Sequence, residues 1–429
     1  MAEQNAYTIL NLRKGASDQE IKLAYVEMVK RYDPEKHTER FMVIQTAYEK
    51  LKDNKKRAHE DVFTYNFVKG EFAWTEEEKT NEPLPDIQNR IKQLEELVAR
   101  GETNPAVKPA LIANYFKRSF QHCQRKLWTE AIHDWVAILN LDATHQRAKS
   151  NLIFAYIYLG YYYALHDLNE EAIKLWESAL KMDPGSTDVV HNLALVSEKF
   201  GDKDRAHRYW SETVKRWKEN LDRNPGDEYL KNCLIEVHRH HGTKAVESLP
   251  TEATKEQAIE SYKEVLKINP SDFEAQYSLA VAMIEEHKFD DAVDALKKLQ
   301  IQHPKNLDII NQLGWAYLNA GKFELAFNTW KRGLIADPKA AMLRDSIMRA
   351  RLAVGKRLKE GGHFTQALVH FKELQKLLPN QWEIHFEIAD CLLRKGDPRN
   401  ALAEFQKVLD LDPKNKLAKK AISDIRLRA

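Results

Sequence analysis

The 429-residue chain has little of what marks several common protein classes. It holds only 15 glycines and 14 prolines, well under the roughly 12% these two residues make up on average. That excludes a collagenous or low-complexity chain and argues against a turn-rich all-β fold. The three cysteines, Cys123, Cys233 and Cys391, lie far apart and form no CxxC pair. A disulfide framework is thereby excluded, and a reducing, cytoplasmic setting fits. Charge of one sign is missing too: 66 Lys and Arg stand against 64 Asp and Glu, a net +2. Such a balance predicts neither a nucleic-acid nor a membrane partner. The most apolar stretch, Leu152 to Leu165, is about 14 residues, short of the ~20 a membrane span needs, so it reads as a buried helix. The opening Met-Ala-Glu-Gln-Asn-Ala-Tyr predicts no secretory leader. Catalytic signatures are absent as well: no Gly-rich phosphate loop, no GxSxG and no HExxH occurs. With 43% hydrophobic residues the chain can bury a large core. The expectation is a soluble, all-α, non-enzymatic protein without a cofactor.

What is present is self-similarity. Segments end alike at Pro184, Pro270, Pro338 and Pro413, with weaker relatives at Pro304 and Pro379, and successive members are often 34 residues apart. Twelve residues before each proline sits an alanine: Ala172, Ala258, Ala292, Ala326, Ala367 or Ala401. Eight before each comes a bulky residue: Trp176, Tyr262, Leu296, Trp330, Phe371 or Phe405. A small residue suits a close helix crossing, a large one fills the next layer, and proline stops the second helix of a pair. Leu159, Gly160 and Tyr163 recur as Leu313, Gly314 and Tyr317 in the first helix. These residue types at these offsets resemble the tetratricopeptide repeat (TPR) family. The resemblance implies a right-handed α-solenoid. Eight units are expected over 112–414, starting near 112, 153, 187, 228, 273, 307, 348 and 382, with a capping helix over 415–429. Several joints are longer than 34 residues; Ala131 and Ala172 are 41 apart, as are Ala326 and Ala367, and each excess of seven predicts helices lengthened by two turns.

Residues 1–66 do not follow the repeat. Ser17-Asp18-Gln19-Glu20 precedes an apolar-periodic run (Ile21, Ala24, Tyr25, Met28, Val29), so an N-capped helix begins near 18. After a turn at Asp33-Pro34, a second helix carries Phe41, Ile44, Ala47, Tyr48 and Leu51 on one stripe. Tyr7-Thr8-Ile9-Leu10, Glu20-Ile21-Lys22-Leu23-Ala24-Tyr25, Ala47-Tyr48-Glu49-Lys50-Leu51 and Lys55-Lys56-Arg57-Ala58 resemble the J-domain family of co-chaperones. The resemblance implies a His-Pro-Asp tip and a basic second helix that dock on a DnaK-type chaperone and stimulate its ATPase. Here the tip reads Asp33-Pro34-Glu35. A histidine that can donate a hydrogen bond has become a carboxylate that only accepts, and it would repel an acidic partner surface. The basic residues Lys22, Lys30 and Arg31 are diluted by Glu20 and Glu27. A J-like module that does not stimulate an ATPase is therefore expected, and a co-chaperone recruiting a DnaK-type ATPase to a TPR-bound client is the alternative.

Between the modules, 67–111 reads as a linker (Trp74, the acidic run Glu76-Glu77-Glu78, then Pro83-Leu84-Pro85) followed by a connecting helix over Asp86–Arg100. His238-Arg239-His240-His241, with Glu236 and Cys233 upstream, is the densest group of metal-ligand types. Gly242 follows it, so a helix end is expected there and no metal. In the TPR family, set positions of each first helix line the concave groove. Carried onto this chain they give Phe116, Phe120, Ile157, Tyr161, Tyr277, Asn311, Trp315 and Lys356. An aromatic-aliphatic face of this kind suits an amphipathic helix or an extended apolar peptide. The Lys, Asn and Arg set that grips acidic chaperone tails is not visible. Basic residues gather only near the C-terminal end, which weakens an RNA-binding reading. A protein-binding adaptor or assembly chaperone is the expected function.

Overall fold

A computed structural model describes residues 5–12, 14, 16–67, 71–247 and 252–428, and every regular element among them is a helix. The chain divides into two compact units, Met1–Val237 and His238–Ala429.

The first unit begins with a small helical module. A single turn, α1 (Ala6–Ile9), lies beneath α2 (Asp18–Arg31) and α3 (Thr38–Leu51), and α4 (Asn54–Val62) follows. Ser17 starts α2 with a capping box: its hydroxyl accepts the Glu20 N–H at 3.3 Å while the Glu20 carboxylate accepts the Ser17 N–H at 2.6 Å. Two otherwise orphaned donors are thereby satisfied. Ile21, Ile44, Ala47 and Leu51 close over Tyr7 and Leu10, and Tyr25 stacks on Tyr48 at 4.1 Å. After α5 (Leu84–Ala99) the helices come in pairs: α6 (Val107–Gln124) with α7 (Trp128–Leu141), α8 (Gln146–Leu165) with α9 (Asn169–Met182), and α10 (Thr187–Phe200) with α11 (Lys203–Arg223). The division between the units falls inside α12 (Glu228–Glu247).

The second unit continues with α13 (Glu252–Ile268). Three pairs follow: α14 (Phe273–Glu285) with α15 (Phe289–Gln302), α16 (Leu307–Asn319) with α17 (Phe323–Ala336), and α18 (Ala341–Glu360) with α19 (Phe364–Leu377). It ends with α20 (Trp382–Arg394), α21 (Pro398–Leu411) and α22 (Lys416–Arg428). α8 and α18 each have 20 residues where α16 and α20 have 13, a difference of two turns.

The six alanines at the repeated offset are all buried, as are their bulky partners. The reason is visible at Gly160 and Gly314. A Cβ on Gly160 would meet the Trp176 ring at 2.6 Å, and one on Gly314 would meet the Trp330 ring at 2.2 Å. Each indole lies directly on the backbone of the facing helix. The missing side chain also opens a carbonyl: Trp176 Nε1 donates to Ile157 O at 3.1 Å, and Trp330 Nε1 to Asn311 O at 3.2 Å. A buried indole N–H needs such a partner. Gly355 receives Phe371 in the same way.

Gly242 corrects an expectation. It does not end a helix, because α12 runs on to Glu247. It too is a contact glycine, buried under Tyr262, whose ring a Cβ would meet at 2.8 Å.

Candidate functional site

The first helices of successive pairs, α6, α8 and α10, form one face of the first unit, and that face is already occupied. The stretch expected to be a linker packs along it. Phe72 sits among Trp135 (5.1 Å), Trp128 (5.9 Å) and Phe154 (4.9 Å). Trp74 meets Phe120 at 5.4 Å, Trp135 at 5.9 Å and Phe116 at 6.3 Å, and Phe67 meets Tyr161 at 5.2 Å. Phe116 is wholly buried, with the Arg147 guanidinium 4.2 Å from its ring centre. Phe116, Phe120 and Tyr161 therefore line a covered face. Ile157 is core of the α8–α9 pair and contributes its carbonyl to Trp176. For these four positions the expected open groove gives way to contacts within the chain.

The polar contacts follow the same path. Buried Asn151 of α8 holds the main chain of Ala73 from both sides, accepting its N–H at 2.8 Å and donating to its carbonyl at 3.1 Å. Asn192 of α10 does the same to Asn66, at 2.6 and 2.9 Å. His191 Nε2 lies 2.8 Å from Val62 O, so it carries the proton and Nδ1 accepts from the Asn66 amide at 3.0 Å. Burial holds the His191 pKa well below the usual histidine range, keeping the ring neutral. Glu78 is buried and accepts two bonds from Arg147, at 2.6 and 2.7 Å. None of these strap contacts was expected from the sequence. The aromatic density of Phe67, Phe72 and Trp74 was the available signal, masked by the prolines and acids that follow.

The small N-terminal module is docked on this face through α4. Ala58 and Val62 pack with Ala194, Ala206, Trp210 and Val237. The Asp61 carboxylate accepts from the Tyr229 hydroxyl, and the Asp61 carbonyl from Lys14 Nζ, which also donates to Thr64 O at 2.8 Å. Burial lowers the Lys14 pKa to about 8. Docking through α4 leaves the opposite end uncovered: Lys22, Lys30, Arg31 and the tip Asp33-Pro34-Glu35 are all exposed. The tip is a tight turn in which Asp33 Oδ1 accepts the Glu35 N–H at 2.8 Å, so the carboxylate standing where the J-domain family has histidine is tied to its own backbone.

In the second unit, Tyr277 of α14 and Trp315 of α16 are half-buried, Tyr277 stacking on Phe273 and Trp315 edge-on to Trp330. Asn311 is partly committed, its Oδ1 accepting from Ser346 at 2.7 Å. Lys356 of α18 is exposed. Among the described residues no group of three His, Cys, Asp or Glu is placed to hold a metal. Burial pushes the thiols of Cys123 and Cys233 up to about 12 and that of Cys391 to about 11, so none is a thiolate near neutrality. No helix among the described residues is long and apolar enough to cross a membrane.

Comparison with known proteins agrees with both modules. Residues 5–61 match the DnaJ domain, and residues 256–306 and 358–425 match the tetratricopeptide repeat. The chain thus carries a DnaJ domain followed by tetratricopeptide repeats, both non-catalytic binding modules. Over 68 residues, 15% of the chain, it is 44% identical to Chaperone protein DnaJ of Bacillus cereus (strain B4264), and equally so to that of Bacillus anthracis (strain A0248). The match spans 18% of those relatives' length. Similar solved structures include a MamA protein (TM-score 0.32, 19% identity, 42% of this chain and 93% of that one). Another is YrrB, described as a TPR protein with an unusual peptide-binding site (TM-score 0.30, 18% identity, 48% of this chain and 98% of that one).

Proposed function

We propose that the protein is a binding adaptor that holds a partner segment on the first-helix face of its second unit. The observation that carries this is the contrast between the two faces. In the first unit Phe67, Phe72 and Trp74, from outside the helix pairs, lie against Tyr161, Phe154 and Phe120. The ring contacts of Tyr277 and Trp315, by contrast, are with Phe273 and Trp330 of their own helix pairs, and Lys356 is exposed on α18. Tyrosine and tryptophan are the residues that anchor interfaces most strongly, and an aromatic row on successive helices suits an amphipathic helix or extended apolar segment. Lys356 favours an acidic residue in that segment.

The experiment is affinity purification with mass spectrometry from cells expressing the wild type or Tyr277→Ala/Trp315→Ala. A specific interactor lost by the double variant supports the reading. An interactor set unchanged by it, with the variant folded, defeats it.

A second reading is favoured by the free tip and α2 face: the DnaJ module recruits a DnaK-type ATPase to the bound client. The carboxylate at Asp33 weighs against it, since it cannot donate as histidine does. In a single-turnover ATPase assay the protein is expected to leave hydrolysis unchanged. Stimulation that disappears on Pro34→Ala would establish the co-chaperone reading instead.

A further inference from the structure

The face of α6 and α8 is built as a reader of extended chain. Its asparagine, Asn151, contacts main chain alone, taking both the N–H and the carbonyl of Ala73. Asn192 repeats the device on the neighbouring first helix. Such a clamp accepts any residue in extended conformation and requires none in particular. Selectivity comes from the side chains on either side. Phe72 and Trp74 point inward while Ala73 and Thr75 are exposed, the alternation of an extended strand. Two aromatic pockets one residue apart therefore face the groove, one lined by Trp128, Trp135 and Phe154, the other by Phe116, Phe120 and Trp135. Four residues beyond the second aromatic, Arg147 receives a carboxylate in fork geometry from Glu78.

We infer that residues 71–82 are a cis ligand, and that this face is a second protein-binding site for an extended partner segment of the same chemistry. That segment carries two large aromatics separated by one residue in extended conformation, then a turn that presents a glutamate or aspartate four positions after the second, as the turn over Thr75–Lys79 does for Glu78. The occupant in the structure states the specificity, since the Phe72 and Trp74 rings, the Ala73 main chain and the Glu78 carboxylate are each met by partners on α6, α7 or α8. The strap is tethered at both ends, between α4 and α5, so its effective concentration at the face is of millimolar order. An external segment competes poorly until its own affinity exceeds that of the tethered strap, and the site is thereby kept closed to weak ligands. This inference does not depend on the second-unit face, and its failure would leave the Tyr277 and Trp315 reading intact.

The test uses full-length protein and a fluorescein-labelled synthetic peptide of residues 71–82. Phe72→Ala/Trp74→Ala weakens the strap and leaves the pockets empty, so this variant is expected to bind the peptide at least about tenfold more tightly than wild type does. Adding Asn151→Ala, which removes the main-chain clamp, is expected to return binding to the wild-type level. A strap-weakened variant with native helicity that binds the peptide no better than wild type overturns the inference, as does binding indifferent to Asn151→Ala. Should the double variant not fold, hydrogen exchange on the wild type decides. The Ala73 amide is expected to open well before the core amides of α8, and equal protection of the two would show an inseparable structural segment.

Discussion

Gly314→Ala is expected to destabilise the protein even though it replaces a helix-interior glycine with the best helix former. The added Cβ would lie 2.2 Å from Trp330 Cε2 and Nε1, inside any distance real Cβ atoms adopt. Trp330 is wholly buried and its indole N–H is bonded to Asn311 O at 3.2 Å, so the ring cannot slide without losing that bond. Helix propensity favours alanine by about 1 kcal/mol. Against this stand about 1–3 kcal/mol for overpacking and about 1–3 kcal/mol if the indole is left unpaired. The net loss is about 3 kcal/mol, read as a lower urea midpoint by far-UV circular dichroism. Gly185→Ala is the control: Gly185 has no positive φ and its nearest neighbour is Asp183 Oδ1 at 3.5 Å, so a change within about 0.5 kcal/mol is expected. Trp330→Phe supplies the second arm, because with the indole gone the added methyl should cost much less, and the two changes should couple. A Gly314→Ala protein as stable as wild type, or additive with Trp330→Phe, would refute the idea that the glycine exists to admit the ring.

Two further outcomes follow from the charged and titratable groups. Arg147→Ala strands the buried Glu78 carboxylate and should cost about 2–3 kcal/mol, below the 3–5 typical of a fully buried pair because Arg147 keeps 30% of its side chain in water. Adding Glu78→Gln should recover most of that loss in thermal melts. The raised thiols set an alkaline limit. In the folded chain Cys123 and Cys233 keep their protons to about 12 and Cys391 to about 11, whereas the unfolded thiols lose theirs near 9. Above that pH the native thiols hold more protons than the unfolded ones, so their contribution is flat below 9 and falls above it, by about 1.4 kcal/mol per pH unit for each thiol, against an opposing rise from Lys14 that begins near 8. Replacing the three cysteines by alanine should make the alkaline arm of stability shallower, the remainder coming from the buried tyrosines, Tyr7, Tyr65, Tyr115, Tyr209 and Tyr229, whose phenols are also raised. An arm of unchanged slope would assign it to other groups.

The repeat architecture was legible because its rule is written in pairs of residue types at fixed distances. Gly160 to Trp176, Gly314 to Trp330 and Gly355 to Phe371 are each 16 residues apart, the walk from one helix of a pair to the facing layer of the next. Gly242 obeys the same rule with Tyr262, but over 20 residues. The longer interval hid it, and the neighbouring histidines made a helix end the simpler reading. The occupancy of the first unit's face was not legible. Residues 71–82 form no helix and alternate only over Phe72–Thr75, too short a run to read as a period, and Phe72 and Trp74 look like stray aromatics beside Glu76, Glu77 and two prolines. Nor does Asn151 announce itself, since a mid-helix asparagine is equally at home in water. What identifies it is two hydrogen bonds to a backbone 78 positions earlier, and a main-chain partner has no residue type. Residues that read backbone are for that reason the part of a binding face that sequence conceals best.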